Sequence, residues 1–510
     1  MTLKLYNSLT NKVEPFKTVQ EGLVRMYNCG PTVYSYAHIG NFRSFVIADL
    51  LRRFLKYQGY KIQQVMNITD VGHLTGDSDE GEDKLEKTAK KEKKHPLEIS
   101  EFYTKAFLKD WKILNLEEPE FRPKATETIS EMIALIQELL AKGHAYEAGS
   151  NIYFDISSFP DYGKLSGNKL EKLTKSRVSE DELKKNPRDF ALWFGESKFK
   201  NHILKWESPW SVGYPGWHIE CSAMSAKFLS ESFDSENKFH PEKFETIDIH
   251  TGGEDNKFPH HECEIAQIEG ATGKKFCNYW IHAAFMMSEG EKMSKSLGNF
   301  YYVKDLLEEG FDPRAIRYVL LSTQYRLQLN FTKESLRAAE KALQRIDTML
   351  QQLNNIEEDK KCSEENKSGK EEDNYCEDKK YDENISNYTS SLLLGVEREL
   401  NNDLNVSGAF GAIFEAVKEI NKALGEKTIG KHQGQEIIEK FYSLDKIFGL
   451  FPKSIFEKEE LPQEIKLLLE KRSEARVNKN WEESDKLRDQ IKEKGFDVKD
   501  TSKGQECVKE

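Results

Sequence analysis

Over residues 1–311, short apolar runs bounded by Gly, Pro, Asn and Asp alternate with longer amphipathic ones. Residues 3–16 read as a hairpin, and Gly22-Leu-Val-Arg-Met-Tyr27 as a buried strand. Cys29-Gly30-Pro31 breaks that strand. The run from Phe42 to Tyr57, stopped by Gly59, predicts a helix that begins at His38-Ile-Gly-Asn41, and Lys61 to Ile68 predicts a second strand. A strand–helix–strand unit of this kind builds a parallel sheet whose ligands sit at the carboxyl ends of the strands. Helices are expected over 96–115, with Pro96 in the first turn, and over 125–142, with Gly143 as the stop; Asn151 to Asp155 reads as a short strand. Residues 157–205 are polar and turn-rich, as befits a domain inserted into the sheet. The sheet resumes with a strand at Thr246–His250, a turn at Thr251-Gly-Gly253, a helix opened by Pro259, and a buried strand over Asn278–Met287. From Asp312-Pro313 onward the pattern is helical throughout: 313–323, 332–353, 386–424, 434–448, 461–476 and 480–494. The expected class is α/β, a parallel-sheet domain split by an insertion and followed by an all-α C-terminal region.

Composition changes this picture in a few places. A chain of 510 residues with 38% hydrophobic positions has the material for several domains with adequate cores. No run approaches the length of a membrane span, and the start, MTLKLYNSLTNK, has no apolar signal core, which predicts a cytoplasmic protein. Seven scattered cysteines argue for thiols or metal ligands over a disulfide framework. The net charge of -12 at first disfavours a nucleic-acid partner. Residues 356–384, however, hold 12 Asp/Glu against 6 Lys/Arg with scarcely an apolar side chain, and read as a disordered insertion between helices. That tract carries half of the chain's net negative charge, and Lys471 to Lys494 is locally basic. The acidic stretch 77–83 reads as a solvated loop.

Three groups of residues carry candidate chemistry. A helix starting at His38-Ile-Gly-Asn41, directly after a strand, offers free N–H groups and the positive dipole end to a phosphate, with Gly40 permitting close approach; a capped helix with a buried His is the plainer alternative. Gly290-Glu-Lys-Met-Ser-Lys-Ser-Leu-Gly298 sets two lysines and two serines between glycines, a loop able to wrap a triphosphate or simply to lie in solvent. His260 and Glu264 stand four apart on one helical face; with Cys29 and Cys221 they have the donor types of a tetrahedral zinc site, or else are unrelated buried groups. Cys263 and Cys277 read as core fillers, and Cys362, Cys376 and Cys507 as exposed.

The tetrad His38–Asn41 taken with Lys292-Met-Ser-Lys-Ser296 resembles the paired signatures of class I aminoacyl-tRNA synthetases. Within that class, YNCGPTVY, MNITD, PGWHIECSAM, FPHHECEIAQ and EKMSKSLGNF resemble the cysteinyl-tRNA synthetase family, collinearly from residue 3 to about 500 and including Leu404–Gly408 and Asn480–Asp489. The resemblance implies a Rossmann-like catalytic domain in two halves, 1–115 and 206–311, around a connective insertion at 116–205. A helical bundle at 312–455 and an anticodon-binding region at 456–510 would follow. It implies cysteine activation with ATP, aided by magnesium, and transfer to tRNA(Cys). It also implies one zinc per chain held by Cys29, Cys221, His260 and Glu264. His38, Lys292 and Lys295 become catalytic; His38, Gly40, Asn41, Gly252, Gly253, Asp255 and Lys295 become ATP-binding; and Thr69, Trp217 and His250 fall around the amino acid. Asn41 departs from the family, where His is frequent, and so does the turn after His250, which lacks a third glycine. Two other readings share parts of this pattern: a ligase joining activated cysteine to an amino sugar, which has little use for the helical tail, and a non-catalytic RNA-binding relative.

Overall fold

A computed structural model of the chain describes residues 2–71, 84–168, 183–195, 202–293, 299–357, 385–452, 462–501 and 504–509. The acidic loop 77–83, Lys295, Cys362, Cys376 and nearly all of the acidic tract 356–384 lie outside the described residues. The chain divides into two compact units, Met1–Pro452 and Lys453–Glu510.

In the first unit the hairpin β1 (Lys4–Asn7) and β2 (Lys12–Pro15) leads to β3 (Leu23–Asn28), α1 (Ile39–Tyr57) and β4 (Lys61–Met66). Next come α2 (Lys84–Glu92), α3 (Pro96–Ile113) and α4 (Ile129–Ala141), then β5 (Ala145–Ala148), β6 (Asn151–Phe154), β7 (Phe190–Gly195) and β8 (Gly213–Pro215). After α5 (Trp217–Phe228) the main sheet is completed by β9 (Ile247–Gly253), α6 (His260–Thr272) and β10 (Cys277–Ala283). Its order is β10-β9-β3-β4 and every pairing is parallel. Tyr27 lies between Val65 and His250, and His250 pairs in turn with Trp280. Such strands are covered on both faces, which is why they appear in sequence as nearly unbroken apolar runs. β5 to β8 form a separate antiparallel sheet. Its last strand pairs Gly213–Pro215 with Trp193–Gly195, so this sheet extends past the turn-rich stretch expected to end at 205.

Two expected elements are broken, each for a visible reason. The single strand expected over Asn278–Met287 stops at Ala283, because the buried guanidinium of Arg43 donates to the carbonyls of Ala284 (2.8 Å) and Phe285 (3.1 Å). The chain resumes as β11 (Met286–Ser288), which pairs instead with β12 (Glu291–Lys292) and β13 (Leu329–Phe331). The helix expected over 386–424 is two helices, Ile385–Leu400 and Val406–Glu426. Between them Asp403 and Leu404 take φ of 57° and 51°, left-handed values that end a helix.

Asp403 explains that interruption. Its carboxylate accepts from the amide of Tyr6 (2.7 Å), the Tyr325 hydroxyl (2.6 Å) and Arg326 Nε (2.7 Å). Lys4 exchanges backbone bonds with Asn401 (2.8 Å) and Asp403 (2.9 Å), so the first strand is sealed by a segment almost four hundred positions later.

A second buried polar centre ties α1 to the helices that follow. Asp49 accepts from Arg53 Nε (2.8 Å), Arg317 (2.5 Å) and the amide of Glu117 (2.8 Å). Arg317 spends its remaining donors on the carbonyls of Phe448 (2.6 Å), Leu114 (3.0 Å) and Asn115 (3.2 Å). Burial pushes the Asp49 carboxyl up, but the guanidiniums of Arg317 and Arg53 outweigh it and hold it below the usual carboxylate range.

The second unit packs helices Gln463–Val477 and Trp481–Glu493 around Ile465, Ile491, Phe496 and Val498. It is not all-helical as expected. A hairpin, Phe496–Thr501 with Gly504–Lys509, closes it, and the buried Arg472 donates to Gln505 (2.8 Å).

Candidate active site

The carboxyl ends of β3, β4, β9 and β10 carry the candidate residues, as a parallel sheet requires. At the end of β3 the chain turns and re-enters as α1 with His38 as its N-cap: His38 Nδ1 accepts from Asn41 N (3.3 Å) and Asn41 Oδ1 accepts from His38 N (3.1 Å). Asn41, the departure noted above, therefore closes a capping box with its own side chain. A Cβ on Gly40 would fall 2.5 Å from Met293 Cε and 2.9 Å from the His38 ring. A side chain at this position would press on the His38 ring and displace Met293, and the approach of Met293 brings the segment just past Lys292 onto the tetrad. Backbone bonding repeats the junction: Ile39 N donates to Tyr301 O (3.1 Å) and His38 bridges Tyr302. Lys292 is exposed at the foot of this loop, whereas Lys295 lies outside the described residues.

The four expected donors converge in a cluster of their own. Cys29 follows β3, Cys221 projects from α5, and His260 and Glu264 from α6; their ligand atoms all lie within 4.8 Å of one another. Two thiols, an imidazole and a carboxylate at that spacing fit a zinc ion by donor chemistry. Glu264 is fully buried and bonds both His250 Nε2 (2.8 Å) and His260 Nε2 (3.0 Å). Burial pushes its carboxyl up, yet His250 and His260 hold it at about 2. Burial likewise opposes a charged His260, but Glu264 and Cys221 raise it to about 10. Cys221 is lifted by burial and lowered further by Cys29 and His260, to about 6, while burial and Cys221 push Cys29 well up.

The other predicted residues separate into those that touch this cluster and those that do not. Trp217, the first residue of α5, stacks on His260 with ring centres 4.1 Å apart. Thr69, just past β4, donates to Glu220 Oε2 (3.0 Å) and accepts from Asn67 Nδ2 (3.0 Å). His250 is wholly buried, turned to Glu264 and stacked on Trp280 at 4.5 Å. Gly252 is approached by His261, whose Cε1 would lie 2.7 Å from an added Cβ. Gly253 caps the short turn Glu254–Lys257, on which Asp255 is exposed.

Sequence reasoning missed four members of the site. His261 completes an overlapping donor set, Cys29, His250, His261 and Glu264, and passes through His282 Nε2 (2.8 Å) to Ser8 Oγ (2.8 Å). His218 Nδ1 stands 2.8 Å from His260 Nδ1. Glu220 is buried, with Oε1 lacking a hydrogen-bond partner among the described residues, and burial and Cys221 push its carboxyl well up. The signal for His261 is the doubled histidine of FPHHECE, masked by the four-residue spacing of His260 and Glu264; Glu220 is adjacent to a candidate thiol.

Three families match the chain: "tRNA synthetases class I (C) catalytic domain" over residues 15–341, "DALR domain" over 395–452, and "Cysteinyl-tRNA ligase anticodon binding domain" over 458–507. A cysteine–tRNA ligase of Chlorobaculum tepidum is 40% identical, with 99% of this chain and 98% of that protein covered. One from Treponema denticola is 41% identical, with 98% of each covered. Among solved structures, Mycobacterium tuberculosis methionyl-tRNA synthetase in complex with methionyl-adenylate shares the fold, with a TM-score of 0.58 at 14% identity over 85% of this chain and 92% of that one. With two signatures meeting at one junction, a thiol-rich donor cluster, and relatives matched over nearly their whole length, the chain belongs to the cysteinyl-tRNA synthetases, within class I of the aminoacyl-tRNA synthetases.

Proposed function

We propose that this chain is a cytoplasmic cysteine–tRNA ligase. Cysteine's carboxylate attacks the α-phosphate of ATP, the bond to pyrophosphate breaks, and cysteinyl-adenylate forms. A hydroxyl of the tRNA's terminal ribose then attacks the acyl carbon and AMP departs. Reactions of this kind need positioning and charge neutralisation more than covalent help. His38, Gly40, Asn41 and the amino end of α1 receive the phosphates; Lys292 and Lys295 neutralise the departing pyrophosphate, and a magnesium ion bound with ATP would share that charge. Gly252, Gly253 and Asp255 border the nucleotide, and Thr69, Trp217 and His250 shape the amino-acid pocket. The observation that carries this reading is the convergence of Cys29, Cys221, His260 and Glu264, two thiols among them, just past the strand that feeds the helix start at His38, against which Met293 closes.

Cys29, Cys221, His260 and Glu264 would hold the zinc, with His261 and His250 behind them. When bound, zinc ligates a thiolate in preference to a hydroxyl, a distinction that shape alone makes poorly between near-isosteres. Glu264, the one oxygen donor, is already shared with two imidazoles and is the ligand best placed to yield. The test is cysteine- and serine-dependent ATP–pyrophosphate exchange, followed by charging of tRNA. The purified chain should contain about one zinc, and Cys221→Ser should lose both the metal and cysteine activation. Equal activation of serine by the zinc-loaded enzyme, or no charging of tRNA, would overturn the proposal.

A further inference from the structure

The most basic short stretch of this acidic chain lies far from the C-terminal helices. Residues 84–94 hold six lysines against two glutamates, and Lys87, Lys90, Lys91, Lys93 and Lys94 are exposed. This is α2 and its exit turn, and α2 packs on α3. From α3 an unbroken series of ring contacts runs to the tetrad. Phe102, 45% exposed, meets Tyr36 edge-on at 6.1 Å; Tyr36 meets Tyr302 at 5.7 Å; Tyr302 meets Phe300 at 5.3 Å; and Phe300 meets His38 at 4.8 Å. Lysines sit over these faces: Lys304 over Tyr36 at 3.9 Å, Lys94 over Phe102 at 5.5 Å, and Lys84 over Tyr34 at 5.5 Å.

Two carboxylates border the patch. Glu92 accepts from Tyr103 (3.1 Å) and pairs with Lys94 (3.4 Å), and Glu86 stands 4.0 Å from Lys90. An apolar core does not need cations laid over exposed rings, and a plain solvated helix does not need aromatics leading inward from it. Interleaved lysines and half-exposed aromatics are the arrangement that binds single-stranded nucleic acid, with bases stacked on the rings and phosphates tracked by the ammonium groups.

We propose that this aromatic track and the lysines of α2 receive the unpaired 3′ end of the tRNA and lead its terminal ribose to the tetrad. The occupant follows from where the track ends: of all segments of an RNA, only a free 3′ terminus is delivered to the atom that the acyl group must reach. This rests on the ligase reading above and adds the surface on which the second substrate arrives.

The experiment uses the full-length chain with Phe102→Ala, Phe102→Trp and the double variant Lys91→Glu/Lys93→Glu. Cysteine-dependent ATP–pyrophosphate exchange should stay within about twofold of wild type in all three, since none touches the nucleotide or the amino acid. The KM for tRNA charging should rise about five- to tenfold in Phe102→Ala, the lower end of what removal of one stacking platform costs, and return toward wild type in Phe102→Trp. The double charge reversal should also flatten the salt dependence of tRNA binding, by about 0.7–0.9 in log–log slope for each phosphate that is no longer neutralised. The decisive arm is binding of tRNA trimmed of its unpaired 3′ nucleotides, for which wild type and Phe102→Ala should be equal. If Phe102→Ala weakens trimmed and intact tRNA alike, or weakens neither, the surface is overturned while the ligase reading stands. If the wild-type chain forms no cysteinyl-adenylate, the ligase reading fails first.

Discussion

Two buried polar centres stand in the first unit, and they are built on opposite principles. Around Asp49 the cations are guanidiniums, which cannot shed their charge, and every nitrogen of Arg317 finds an oxygen. Around Glu264 the cation is an imidazole, its neighbours are thiols, and polar atoms are left over: Glu220 Oε1 and His250 Nδ1 have no hydrogen-bond partner among the described residues. A centre with nothing to spare holds helices together. A centre whose members titrate, and whose atoms outnumber their partners, is suited to a ligand. Buried charge alone therefore says little; what separates structure from site is whether the charge is exchangeable and the account of donors closed.

A matched pair of amide substitutions tests that contrast. Asp49→Asn leaves two guanidiniums buried against a neutral partner and should cost about 3–5 kcal/mol of stability in denaturant melts, with cysteine activation per folded molecule unchanged. A loss below about 1 kcal/mol would mean that the centre is solvated after all. Glu264→Gln should cost less, about 1–3 kcal/mol, because His260 can give up its proton when its counter-ion goes. Cysteine activation should nevertheless fall about 10- to 100-fold. Similar stability losses for the two variants would erase the distinction.

The smallest effect is in pH dependence, read on the metal-free chain. Asp49 and Glu264 both have depressed pKa values, so their stabilisation is present above the unfolded value of about 4 and is lost as pH falls, through about 2 for Glu264. Both centres thus share an acid limb. Only the second has an alkaline one. Between about 6.5 and 8.5 the raised His260 and lowered Cys221 cancel, because the folded pair and the unfolded pair each hold one proton. Above that, His260 up to about 10, together with Cys29, retains protons that the unfolded chain releases, and stability falls by about 1.4 kcal/mol per pH unit for each. Glu264→Gln should flatten this alkaline limb and Asp49→Asn should leave it intact; the reverse pattern would reassign the two centres.

The parts of this molecule legible in its sequence were those decided locally. The parallel strands, the helix opening at His38 and the pairing of His260 with Glu264 each depend on residues within a turn or two. What was not legible depends on distant partners. The break at Ala284 is imposed by Arg43, 241 positions earlier, and no propensity near residue 284 announces it. The turn at Asp403 exists because that carboxylate serves Tyr6 and Tyr325. The second histidine set had the same origin, since His250 reaches Glu264 only because β9 is threaded between β3 and β10. The aromatic track was unreadable for a further reason: its rings come from segments near residues 36, 102 and 302, none of them unusual alone.

The bond from Tyr6 to Asp403 also has a meaning in time. The two residues are 397 positions apart. At a synthesis rate of about 5–20 residues per second, roughly 20–80 s separate the emergence of the first strand from that of the carboxylate that seals it. Throughout that interval the nascent hairpin has an open edge, and the donor atoms Asn7, Tyr6 and Lys4 must wait for partners at 278, 403 and 401 in turn. The ends of the catalytic unit are thus stitched last and together, so a ribosome stalled before residue 401 would display a body whose first strand is still unfastened.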